Sequence, residues 1–321
     1  MRLSDPRTLH ALVLYLLPVL VAWAGWGAGA ALVAVLLVAV SGIAIRLRAT
    51  MNPPSARPRL HTISYSHYVE KVRWCLDRAQ VDYEEVPSIG ILGVLLLGRT
   101  VPVLELPASR TSVGNSAEIL RLLWGMHGRD PSGRAAFLEP TGEAIALEQH
   151  FDRALGEQVR RWAYQQLFQD RALTLQSWGV NEPAVPAWQR ALLRPLRPLL
   201  KAAVRRMLRV NAASAARALE KTKAVFDEVD ARLADGRRYL LGDHLSFADI
   251  SFASLGALAV LPGNYGGAAL ATHFPAVETL PSPWREEVLA FRQRPAGQFI
   301  LRLYGEERSV AGPAGAPAPA A

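Results

Sequence analysis

A short apolar strand running directly into an amphipathic helix constrains this chain more than any other feature. Between Leu60 and Leu76 it reads Leu-His-Thr-Ile-Ser-Tyr-Ser-His-Tyr-Val-Glu-Lys-Val-Arg-Trp-Cys-Leu. Residues 60–63 have a strand's composition, and from Tyr68 onward Tyr68, Val72, Cys75, Leu76 and Ala79 recur at helical spacing. Ser66 stands at the joint. A serine there has two physical uses: its oxygen caps orphan N–H groups of the first turn, or its hydroxyl joins those groups and the positive helix end in stabilising an anion. On this stretch alone both uses stay open.

The following segments extend the pattern. A turn at Gln80-Val81-Asp82 leads to a brief strand at 83–86, so the region spells β-α-β. Residues 88–98 are apolar and punctuated by glycine, as in a loop or poor helix. Strands follow at 101–106, with a proline near the edge, and at 110–113. Asn115 or Ser116 then caps a helix reaching Met126. Beyond a linker at 129–139 everything reads as helical: one long periodic stretch at 141–170, a basic region, 214–234, a helix opened by the capping box Ser246-Phe247-Ala248-Asp249, then 284–292 and 295–303. The tail, 309–321, is dominated by Ala, Gly and Pro and is expected to be disordered.

The excess hydrophobicity of the chain has one address. Residues 9–45 carry no Asp, Glu, Lys or Arg. Split at Trp26-Gly27-Ala28-Gly29, this run gives two spans, about 9–26 and 28–45, each near the roughly 20 residues that cross a bilayer core. Arg2 and Arg7 precede the first and Arg46 and Arg48 follow the second, which puts both flanks on the cytoplasmic side of an inner, cytoplasmic membrane. The expected organisation is a membrane hairpin at 1–48, a linker at 49–58, an α/β domain at 59–128 and an all-helical domain at 140–308.

Cys75 is the only cysteine, which excludes an internal disulfide and speaks against a cysteine-based metal site; no metal is expected. Its apolar helical neighbours read as the surroundings of a structural thiol. The formal net charge is +8, and residues 183–219 contain no acid but hold Arg190, Arg194, Arg197, Lys201, Arg205, Arg206, Arg209 and Arg217 among Trp188, Leu192, Leu199 and Met207. Beside membrane spans, contact with anionic lipid is the economical reading of that stretch, a solvated helix face the plain one. No nucleic-acid motif accompanies the charge, so no nucleic acid is expected.

The order of these parts resembles the cytosolic glutathione transferase family. Ser66-His67-Tyr68-Val69-Glu70-Lys71-Val72-Arg73 resembles that family's serine-class first-helix motif. Thr100-Val101-Pro102-Val103-Leu104-Glu105 resembles Lys-Val-Pro-Val-Leu-Glu, whose proline is cis and whose preceding residue pairs its backbone with glutathione. Asn115-Ser116-Ala117-Glu118-Ile119-Leu120 resembles Glu-Ser-x-x-Ile-Leu, which holds the γ-glutamyl end, and residues 242–249 resemble the Gly-Asp-x-x-Ser-x-Ala-Asp capping segment.

The resemblance implies a thioredoxin-like α/β domain followed by an all-α glutathione transferase C-terminal domain, with glutathione as co-substrate and a homodimer as an available assembly. It assigns thiolate activation to Ser66, with Tyr65 and Tyr68 as understudies, and glutathione binding to Arg99, Val101, Pro102, Asn115 and Ser116. A pocket for a hydrophobic electrophile would be lined by Tyr68, Phe151, Leu155, Gln158 and Trp162, the last four sharing a helix face that equally suits packing between helices. The expected activity is transfer of the glutathione thiol to a hydrophobic electrophile or a disulfide. A relative acting on lipid hydroperoxides, or a non-catalytic scaffold at the membrane, are the alternatives. His67 and Asn115 depart from the usual proline and acid, and Thr100 from the usual lysine.

Overall fold

The computed structural model describes residues 19, 20, 22–51, 57–63, 65–88, 101–109, 111–183, 185, 187–267 and 275–308, without the side chains at 39, 41–51 and 188. Most of the first expected span, Arg99, the 89–100 segment and the 309–321 tail lie outside the described residues.

Strand β1 (Arg59–Thr62), helix α2 (His67–Arg78) and strand β2 (Glu84–Pro87) follow α1 (Ala28–Met51). Strands β3 (Val103–Leu106) and β4 (Thr111–Gly114) and helix α3 (Ser116–His127) complete the first domain. The sheet order is β2-β1-β3-β4, with β1 parallel to β2, antiparallel to β3, and β3 antiparallel to β4. This is a thioredoxin-like arrangement. Leu60 pairs with Glu85 on one side and Leu104 on the other, and turns its own side chain into the core.

The helical domain comprises α4 (Gly142–Phe151), α5 (Glu157–Leu167), α6 (Arg171–Ser177), α7 (Ala187–Met207), α8 (Ala212–Leu233), α9 (Phe247–Val260), α10 (Ser282–Gln293) and α11 (Pro295–Glu306). The stretch read as one helix at 141–170 is broken by a π turn at Asp152–Gly156. Helix α7 keeps Pro195 and Pro198 inside it. Asp249 is buried and closes the expected capping box, accepting from Ser246 N–H at 2.8 Å and from Leu240 N–H at 2.7 Å.

Helix α2 is buried nearly all round, because the sheet and α3 cover one side and α9 the other. Val69, Val72, Trp74, Cys75 and Leu76 join one apolar core with Phe226, Phe252 and Ile300 of the helical domain. Its charged residues Glu70, Lys71 and Arg73 are buried too, each with a partner. Lys71 donates to Glu148 and, at 3.2 Å, to Asp152. Glu70 accepts from Arg73 Nη1 and Arg308 Nε, both at 2.9 Å, and Arg308 Nη1 reaches Asp77 at 2.8 Å. Phe168, Trp178, Val185, Leu193, Leu200, Val204 and Val210 form a second, smaller apolar cluster under α7.

At the N-terminal end, residues 22–26 are helical, Gly27 takes φ +84°, and α1 begins at Ala28. The described apolar side chains here are bare: Trp23, Trp26, Leu32, Leu36, Leu37 and Val40 are all exposed. Among the described residues no helix is long and apolar enough to cross a membrane; of α1, only the side chains at 28–38 and 40 are described.

Removing one member of a buried ion pair strands the other. Lys71→Met is expected to cost about 3–5 kcal/mol in chemical denaturation. The double variant Lys71→Met/Glu148→Leu should be more stable than Lys71→Met alone, since it no longer leaves Glu148 buried without its lysine.

Candidate functional site

Ser66 opens α2 through its backbone. Its N–H donates to the Ile63 carbonyl and its own carbonyl accepts from Glu70 N–H, both at 2.9 Å. The φ and ψ of −74° and 118° are those of an N-cap, yet the hydroxyl accepts nothing from the first turn. Of the two uses open to this serine, the capping one is not taken up. Ser66, His67 and Tyr68 instead line a cavity of about 340 Å³.

That cavity is apolar. Its walls include Tyr164, Leu167, Trp178, Val204, Leu208 and Leu261, with Tyr65 beside Ser66. A second cavity of about 600 Å³ is polar and includes Pro102, Asn115, Ser116, Arg121, Asp152 and Glu157 in its lining. The two share three residues, Tyr68, Val101 and Arg160. The Val101–Pro102 bond is cis. Asn115, at φ 70°, caps α3 by accepting from Ala117 N–H at 2.9 Å, so the N-terminus of that helix and the buried Ser116 border the polar cavity.

The π turn supplies the grip between this corner and the helical domain. A π turn shifts the register of helical hydrogen bonds and leaves carbonyls available to side chains. The Tyr68 hydroxyl donates to the Asp152 carbonyl at 3.2 Å, and His67 Nε2, as the N–H tautomer, donates to the Gly156 carbonyl at 2.9 Å. Position 156 must be glycine for this approach, because a Cβ there would sit 2.4 Å from the Tyr68 oxygen. Burial, reinforced by Arg160, pushes the His67 pKa down to about 3, so the ring is neutral at ordinary pH. Burial raises both tyrosine hydroxyls, aided by Glu182 at Tyr65 and by Asp152 at Tyr68; each is a hydrogen-bond donor rather than an anion.

Of the residues expected in the electrophile pocket, Tyr68 lines both of these cavities and the other four line neither. Phe151, Leu155 and Trp162 belong to the interhelical core, Phe151 against Phe252 at 5.1 Å and Trp162 against Phe291 at 6.1 Å. Gln158 accepts from Arg161 Nη1 at 2.8 Å and lines neither cavity. The correction has a simple cause. Helix α5 has two stripes, and the more apolar one, continuing Leu155 through Val159 and Trp162, is the one that packs. The neighbouring stripe, Arg160, Ala163, Tyr164 and Leu167, faces the cavity. Its i, i+3, i+4, i+7 spacing was legible, but an arginine at its head disguised it as a solvent face.

Arg160 is therefore the residue that reading the sequence missed. Its guanidinium lies 5.9 Å from the Tyr68 ring centre, and among the described residues it has no ion-pair partner. Cys75, by contrast, is a structural thiol: burial pushes its pKa up to about 12. Arg99 lies outside the described residues. Among these residues no group of three His, Cys, Asp or Glu is placed to hold a metal ion.

Comparison with known proteins agrees with the helical half. Residues 212–286 match the family described as glutathione S-transferase, C-terminal domain. With the thioredoxin-like sheet ahead of them, they define a glutathione transferase-like fold. Among solved structures, the chain is similar to poplar glutathione transferase F1, at 15% identity over 78% of this chain and 99% of that one, with a TM-score of 0.45. It is also similar to glutathione S-transferase III in apo form, at 19% identity over 82% and 100% of the chains with a TM-score of 0.44. A third likeness is to a Methylobacterium radiotolerans glutathione S-transferase in complex with glutathione sulfonate, at 18% identity over 76% and 94% with a TM-score of 0.42. No curated protein matches the chain significantly in sequence.

His67 gives the corner a pH dependence. Its folded pKa lies below the unfolded value, so its contribution to stability is complete above about pH 6.5 and declines as protons bind the unfolded chain below that. Between pH 7.5 and 5 the loss from this group is about 2 kcal/mol. In denaturation at the two pH values, His67→Gln should show a smaller difference than the unaltered chain by about that amount.

Proposed function

We propose that this chain is a membrane-anchored, glutathione-dependent transferase that holds glutathione in the polar cavity and a hydrophobic electrophile or disulfide in the apolar one. The observation that carries this reading is the junction: the two cavities of opposite character share Tyr68, Val101 and Arg160, and Ser66 opens a helix beside them.

The chemistry the junction must supply is modest. A free thiol near pKa 8.5 is mostly protonated at neutral pH, and lowering it by two units takes about 2.7 kcal/mol of preferential thiolate binding. A hydroxyl hydrogen bond to a charged acceptor contributes about 1.5–3 kcal/mol, and a helix N-terminus a further ~0.3–1 kcal/mol. Ser66 and the first turn of α2 provide both, and Arg160, without an ion-pair partner among the described residues, adds a positive charge. The thiol proton leaves to solvent. The sulfur then bonds to the electrophilic carbon as its leaving group departs, or to a disulfide sulfur as the other thiolate departs.

The polar cavity suits a tripeptide carrying one ammonium and two carboxylates. Ser116 and the α3 N-terminus offer donors to a carboxylate, as does Arg121. Asn115 lacks the customary acid's charge and its amide oxygen is occupied by its own helix, so the ammonium would turn to Glu157 or Asp152. That weakened contact favours the second reading, a non-catalytic module on the same fold.

Membrane attachment is supported by the uncharged run at 9–45, by the break at Gly27, and by a helical segment whose apolar side chains stand bare. Exposed apolar surface of this extent calls for lipid or a partner. The arginine flanks favour soluble domains on the cytoplasmic face.

Calorimetric titration of the full chain in detergent with glutathione separates the readings: heat of binding below millimolar ligand supports the transferase, and none at millimolar ligand leaves only the scaffold. Ser66→Ala should lower turnover of an activated aryl halide by about 10²-fold while changing glutathione affinity far less. Arg160→Ala should fall in the same direction, and an unaltered rate in both variants would sink the assignment.

A further inference from the structure

Helix α7 carries a surface that the transferase reading does not use. Its inner side chains Leu193, Leu200 and Val204 are buried in the small apolar cluster. One cation is turned inward with them: Lys201 donates to the Phe168 carbonyl at 2.6 Å and, with Arg205, stands over the Phe168 ring. The outer side is different. Leu199 is 66% exposed, Met207 57% and Leu192 41%; Arg206 stands exposed beside Leu199, and Arg194 is exposed on the other shoulder of the helix. No acid occurs between 183 and 219, and among the described residues none of the arginines of α7 has an ion-pair partner. A helix face meant for water alternates charges of both signs and hides its leucines.

We infer that the outer face of α7 rests on an anionic lipid surface, with Leu192, Leu199 and Met207 in the headgroup layer and Arg194 and Arg206 against lipid phosphates. Unopposed cations complement an anionic leaflet, and exposed leucines on the same outer side fit an acyl boundary, whereas a nucleic acid would leave those leucines wet. Only seven residues, 52–58, separate the end of α1 from β1, so an anchored chain keeps its soluble part within about 25 Å of the end of α1, six residues past the expected span. Val204, Met207 and Leu208 are also wall residues of the apolar cavity. Met207 belongs to both, so the cavity wall at Met207 borders the lipid, and its electrophile is of the class that partitions into bilayers. This last step rests on the transferase reading; the lipid contact does not.

The test uses the full chain in lipid nanodiscs with Leu199→Cys carrying an environment-sensitive fluorophore, since buried Cys75 is protected from labelling. In discs containing phosphatidylglycerol, brominated acyl chains should quench the label. In purely phosphatidylcholine discs, or with Arg194→Glu/Arg206→Glu added, quenching should fall strongly, each arginine being worth about fivefold in partitioning. Equal quenching in both lipids, or none in either, overturns the proposal. Should the chain be soluble without detergent, the anchor reading fails on its own; quenching by added phosphatidylglycerol vesicles, lost in the double arginine variant, would still support α7, and its absence would overturn it. A label shielded by an oligonucleotide or by a second copy of the chain, and not by lipid, overturns it as well.

Discussion

A helix with charged residues at its centre, closed in from both sides, is tolerable only if every charge meets its opposite. Helix α2 is such a helix, and Glu70, Lys71 and Arg73 are all buried in it. Their partners come from far along the chain: Glu148 and Asp152 from the start of the helical domain, Arg308 from its end, Glu85 from β2. Desolvating such groups costs several kcal/mol each, and only well-placed partners return it. The two domains are thereby obliged to meet in one register, since a slip of one turn would strand a buried lysine or glutamate. Arg308 fastens the last described turn of the chain to the middle of the first domain.

That register is what sets the site. Ser66 and Tyr68 sit one turn ahead of the buried charges, and the same docking brings the π turn of Asp152–Gly156 against His67 and Tyr68. Arg160 follows one turn later on α5 and so arrives at the junction of the two cavities. The placement of Ser66, Tyr68 and Arg160 is set by helices. It follows from α2 and α5 being held at a fixed offset by groups that cannot be moved apart cheaply.

Much of this was legible before any coordinates. Short apolar runs between turn residues marked the strands, and Ser246 with Asp249 marked the capping box to the residue. What escaped was decided by tertiary contact. Helical periodicity identifies Phe151, Leu155 and Trp162 as one stripe but not whether that stripe meets a cavity or a core; Phe252 and Phe291 settle it, and they are about a hundred residues away. The π turn leaves no composition signal, because Asp152-Arg153-Ala154-Leu155-Gly156 suits an ordinary helix apart from its glycine. Arg160 was invisible for a related reason: an arginine on an amphipathic helix belongs to solvent unless a second domain covers it.

The account stands on one electrostatic claim, that the opening of α2 beside Arg160 favours a bound sulfur anion. The most direct measurement is the ionisation of glutathione's thiol in complex with the full chain, followed by the ultraviolet absorbance of the thiolate as pH is raised. The account predicts a titration about two units below the free thiol's, moving back toward it in Ser66→Ala. A bound thiol that ionises near 8.5, as it does in water, would contradict it.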